Sequence, residues 1–146
     1  MLSDAQPLLG ERPHIEFFAL RDGAAHEPQT VTFAWRNDRY VRVRGTTEDI
    51  YDFSLHAFEG ADLIVQSLRA GHPVEYAIAR KLADGVYLVI AIDEADADDA
   101  TRANYCGTKA GTACRVATRD AVLAFARATA AKPHSAGGLA VLMTDR

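Results

Sequence analysis

The chain is poor in cysteine and lysine, and it has no long apolar run. The first and the last of these each exclude a class of function. Among 146 residues there are two cysteines, Cys106 and Cys114, with no Cys-x-x-Cys and no close histidine pair. A structural zinc site needs four ligands, usually as two close pairs, so no metal is expected. No segment approaches 18 consecutive apolar residues, the length that would suggest a membrane helix. Met1 to Arg12 carries Asp4, Pro7 and Glu11 without a basic-then-apolar order, and so does not read as a signal peptide. Reduced cysteines in a cytoplasmic protein are the matching expectation. Lysine appears three times against thirteen arginines, and the net charge is −4. A dedicated nucleic-acid binder usually carries a basic surface, so nucleic acid is not an expected partner.

Hydrophobic residues make up 49% and charged residues 25%, as in ordinary globular domains. The length suits one domain with a core large enough to fold without staples. Residues 1–13, with Pro7 and Pro13, read as a loose N-terminal arm, and 14–146 as a single domain.

Strands are expected at His14–Leu20, Thr30–Trp35 and Tyr40–Arg44. The last alternates Val41 and Val43 with Arg42 and Arg44, which implies one wet face. Val74–Leu82 and Val86–Asp93 form a hairpin around Ala83-Asp84-Gly85. Val86 to Ile92 is apolar on both faces and reads as a central strand. The spacing of Leu63, Ile64, Ser67 and Leu68 predicts a helix over 61–70, stopped by Gly71 and Pro73. Tyr51 to Ala57 fits strand and helix alike, and strand is preferred. Further helices are expected over 94–104, stopped near Gly107, and over 119–131, capped by Thr118. Short strands are expected at Thr112–Ala117 and Leu139–Met143. The fold class expected from this pattern is α+β: a mainly antiparallel β-sheet with two to three helices packed on one face.

The densest one-signed charge is Asp93-Glu94-Ala95-Asp96-Ala97-Asp98-Asp99. An EF-hand loop needs glycine sixth and an acid twelfth. Counting from Glu94 gives Asp99 and Tyr105, and from Asp93 gives Asp98 and Asn104, so both frames fail. Asp93 is a helix cap, with Asp96 three residues on. A helix start uses one or two acids; the surplus marks Asp93, Glu94, Asp96, Asp98 and Asp99 as a partner-binding surface.

Other constellations are incomplete. Lys109 precedes Gly111 in the loop Cys106–Thr112, the wrong order for a P-loop. His134-Ser135 with Gly137 meets half a nucleophile elbow, with Pro133 where the first glycine belongs. Arg36, Arg39, Arg42 and Arg44 make a basic stripe with only Trp35 and Tyr40 between them.

No residue set names a reaction, and no catalytic residue or cofactor is expected. The function expected first is a non-catalytic binding protein of the bacterial immunity or antitoxin type. It would neutralise a basic, nuclease-like protein through the acidic run. The alternative is a small enzyme or ligand-binding domain, with a pocket between sheet and helices near Cys106, His56 or His72. A homodimer pairing the Arg36–Arg44 hairpin with the acidic run of its mate is a third reading.

Overall fold

The computed structural model describes residues 2–21, 24–45, 51–106, 118–132 and 136–143. Strand is the dominant state among the described residues. The strands are β1 (His14–Arg21), β2 (Ala24–Ala25), β3 (Gln29–Arg36), β4 (Arg39–Arg44), β5 (Asp52–Ala57), β6 (Leu63–Leu68), β7 (Glu75–Ala83), β8 (Val86–Ala91) and β9 (Gly138–Met143). Two helices, α1 (Asp99–Cys106) and α2 (Arg119–Ala130), follow a 3-10 turn at Glu94–Asp96.

Every neighbouring pair is antiparallel, in the order β1-β3-β4-β5-β6-β7-β8-β9. β9 then pairs with β1, from His14↔Met143 to Ala19↔Gly138, so the sheet closes on itself. The two-residue β2 folds back on the end of β1. The result is a closed eight-stranded antiparallel barrel, and the expected open α+β sheet with helices on one face is wrong. Closure removes the exposed edges that an open sheet must protect.

The expected helix over 61–70 is the strand β6, paired on both sides with β5 and β7. Its residues alternate. Leu63, Val65 and Ser67 line the barrel interior, while Ile64 and Gln66 are buried on the outside. Both faces are covered, so the sequence shows a near-continuous apolar run that also satisfies helical spacing. The expected helix over 94–104 divides into the 3-10 turn and α1. The expected strand Thr112–Ala117 and the stop near Gly107 lie outside the described residues.

Helix α2 packs against the outer wall. Val122 and Ala126 meet Ile64 and Ile78 there, together with Leu2 of the arm. Thr118 caps the helix by accepting the Ala121 N–H at 3.2 Å. Phe125 is fully buried with Ala97 and Ala121, and Tyr105 of α1 lies 6.3 Å from its ring. Burying a side chain of that size contributes about 1.5–3 kcal/mol. Thr129 Oγ1 accepts the Asp93 N–H, tying the far end of α2 to the exit of β8.

The β3–β4 hairpin turns on Asn37 and Asp38, with φ of 53° and 63°. Two successive positive φ values make a type I′ turn, whose twist matches the strands it joins. Asn and Asp are the residues other than glycine that most readily accept this conformation. On the far side of the barrel, a Cβ at Gly138 would lie 2.3 Å from Phe17 Cζ. Glycine there leaves room for the tip of the Phe17 ring at the closing seam.

Candidate functional site: an interior cavity and a buried polar network

The barrel interior is filled at one end and hollow at the other. Ile15, Val31, Phe33, Tyr40, Phe53 and Leu55 form the filled part. Phe33 meets Phe53 edge to face at 4.9 Å, and Phe53 lies 5.1 Å from Tyr40. The N-terminal arm, expected to be loose, is fastened across this end. Its Gly10 carbonyl accepts the Tyr40 hydroxyl at 2.6 Å, and that oxygen accepts the Leu9 N–H at 3.0 Å. Burial pushes the Tyr40 phenol up from its ordinary range, which keeps it a donor. Glu11 and Pro13 carbonyls accept from Trp35 and Phe33 N–H, extending the β1–β3 pairing into the arm.

Beyond the filled part lies a cavity of about 140 Å³. Its wall takes Phe17 from β1, Leu63, Val65 and Ser67 from β6, Ala77 and Ala79 from β7, Tyr87 and Val89 from β8, and Ala140 from β9. Leu9 of the arm, Tyr51 just before β5, and Ile15, Phe53 and Leu55 of the filled part complete the wall. The void has a sequence cause. Inward positions 77, 79 and 140 hold alanine, and Gly138 neighbours the last of them, where a small barrel would need large side chains to fill its middle. Most of the lining is half-buried, Leu63 and Tyr87 included. Tyr51 and Ser67 lie at the end where β1, β6 and β8 finish and β5, β7 and β9 begin, which we take as the mouth. An engineered cavity of about 150 Å³ with an apolar lining stays dry and takes benzene or xenon, so this one can hold a single ring.

A second feature lies on the outside of the wall, beneath the arm. Ser54 and His56 stand two apart on β5 and so share a face. His56 is 0% exposed and Ser54 2%. His56 Nδ1 lies 2.7 Å from Asp4 Oδ1, and Nε2 lies 2.8 Å from Ser54 Oγ. Gln66 donates to Ser54 Oγ at 3.0 Å and accepts the Leu2 N–H at 2.8 Å. Arg119 at the start of α2 pairs with the second Asp4 oxygen. The bonds are mutually consistent with a neutral His56 that donates from Nδ1 and accepts the Ser54 hydroxyl at Nε2. Burial holds the His56 pKa below its ordinary value, against the pull of Asp4. Partial burial raises Asp4, but hydrogen bonds from His56 and Arg119 outweigh it and leave its pKa lowered. The order Asp-His-Ser is that of a hydrolytic triad, but the serine is enclosed by Gln66 and the arm. The network joins arm, barrel and α2.

The acidic run sits between β8 and α1. Asp93 Oδ1 accepts the Ala95 N–H at 2.9 Å, and Asp98 Oδ1 accepts the Thr101 N–H at 2.7 Å as the cap of α1. The hydrogen bonds with Thr101 hold the Asp98 carboxyl below its ordinary range. Asp99 pairs with Arg102 at 2.6 Å, Asp96 is half-buried, and Glu94 opens the 3-10 turn. Among the described residues no group of three or more His, Cys, Asp or Glu is placed to hold a metal. Among them, too, no helix is long and apolar enough to cross a membrane.

The pocket anticipated between sheet and helices is instead inside the barrel. His56 lies on the other side of the wall from it, and His72 is exposed in the β6–β7 loop. The Cys106 side chain, Cys114, the glycine-rich loop and His134-Ser135 lie outside the described residues. Sequence reasoning passed over Asp4, Ser54, Gln66 and the small inward residues of β7 and β9. The only available signals were a Ser-x-His on a strand and alanine at inward positions. Comparison with protein-family models, with curated proteins and with solved structures gave no match.

Proposed function

We propose that the protein is a binding barrel for a small, mostly apolar molecule held inside the cavity. The observation that carries this reading is the void of about 140 Å³ within a closed barrel, lined almost wholly by carbon. Apolar lining with a few polar groups is the usual make-up of a small-molecule site.

Toluene is the simplest probe. Titration followed by amide NMR should give saturable shifts centred on Ala77, Ala79 and Val89. Ala77→Leu places three more carbons in the cavity and should weaken toluene at least about tenfold, with no loss of thermal stability. Shifts scattered over the outer surface, or equal binding by Ala77→Leu, would overturn the reading.

The acidic run as a surface for a basic protein draws less support. Asp93, Asp98 and Asp99 each have a local partner, so much of the run is accounted for by the folding of its own segment.

A further inference from the structure

We propose that the occupant is a small monocarboxylate with a compact apolar body, its carboxylate held by Ser67 and Arg69 at the cavity mouth. This rests on the cavity reading above. The polarity of β6 changes along its inward face. Leu63 and Val65 come first, then the hydroxyl of Ser67, all three lining the cavity. Arg69 follows at the same two-residue spacing, one residue beyond the strand.

The Arg69 guanidinium carbon lies 4.6 Å from the centre of the Tyr51 ring, and Tyr51 is itself part of the wall. Stacking fixes the plane of a guanidinium while leaving its N–H edge able to meet an anion. Among the described residues, no carboxylate is ion-paired with Arg69, and no protein group hydrogen-bonds the Ser67 hydroxyl. A carboxylate at this point would accept from both and leave its apolar body against Val65, Ala77 and Val89.

The neighbouring charge narrows the class. Glu75 of β7 stands directly opposite Ser67 and is exposed. Its charge works against any anion, and about twice as strongly against a dianion such as a phosphate monoester as against the single charge that Arg69 can offset. The volume limits the body to about one six-membered ring, by comparison with the cavity that takes benzene.

Benzoate, benzyl alcohol and benzylamine share that ring and differ in the head group. Isothermal titration of the full-length protein should rank benzoate tightest. Arg69→Met should weaken benzoate about fivefold or more and leave benzyl alcohol within about twofold. Ser67→Ala should weaken benzoate less than Arg69→Met does. Benzyl alcohol or benzylamine binding as tightly as benzoate would overturn the proposal, as would an equal loss of all three in Arg69→Met. If toluene binds and benzoate does not, the carboxylate assignment falls and the cavity reading stands. If neither binds, both fall.

Discussion

Phe33→Ala is expected to destabilise the protein by about 3–5 kcal/mol, the usual cost of truncating a fully buried phenylalanine. Phe33 is 0% exposed and sits in the filled part of the barrel, edge to face with Phe53. Phe53 in turn packs on Tyr40, whose hydroxyl holds the arm. Little can collapse into the space, because the surrounding residues belong to a hydrogen-bonded ring of strands that cannot move independently. Among the described residues β4 and β5 make the weakest seam, with Tyr40↔Phe53 as their one ladder pair and an Asp52 side chain bonding the Arg42 N–H beside it. The Phe33–Phe53–Tyr40 stack therefore spans the seam that the backbone secures least. Urea denaturation measures the effect. A loss under about 1 kcal/mol would mean that this end of the barrel is not packed as described.

His56→Ala should cost about 2–4 kcal/mol, through both the lost volume and the partners it orphans. Ser54 would lose its acceptor, and Asp4 would keep only Arg119. The arm should then exchange its amide protons faster at Gln6, whose N–H bonds the Leu55 carbonyl. The wild-type protein carries a pH signature of the same network. His56 has a folded pKa below its ordinary 6.5, so the unfolded chain takes up a proton first. Stability is therefore complete above about pH 6.5 and falls as the pH drops towards the folded value. Asp4, lowered from 3.8, adds a further loss only below that range. The urea midpoint should fall between about pH 7 and about pH 5 in the wild type, and His56→Ala should flatten that fall. A wild-type midpoint that holds steady or rises over this interval would contradict a buried, neutral His56.

The local elements were largely readable. Alternation located β3, β4 and β7 to within a residue or two, apolar content and turn residues located β1, β8 and β9, and the Thr118 cap located α2. β6 was not readable, because α2 and Leu2 cover its outer face while the cavity lies on its inner one. A strand with two apolar faces loses the alternation that distinguishes it from a helix. Closure was invisible for a different reason. It depends on residues 14–19 meeting 138–143, and neither strand differs in composition from one that ends an open sheet. The acidic run drew attention because charge density is conspicuous in a sequence. The cavity did not, since it arises from what Ala77, Ala79 and Ala140 fail to fill. The polar network needed Asp4, Ser54, His56 and Gln66 together, and only the fold brings an arm residue to a strand fifty residues away.

The central claim is a hollow inside a closed barrel, and xenon tests it most directly. Crystals pressurised with xenon should show one strong anomalous peak enclosed by Phe17, Val65, Ala77, Val89 and Ala140, with β1 and β9 paired beside it. A barrel open between β1 and β9, or an interior filled by side chains with no xenon bound, would contradict the account.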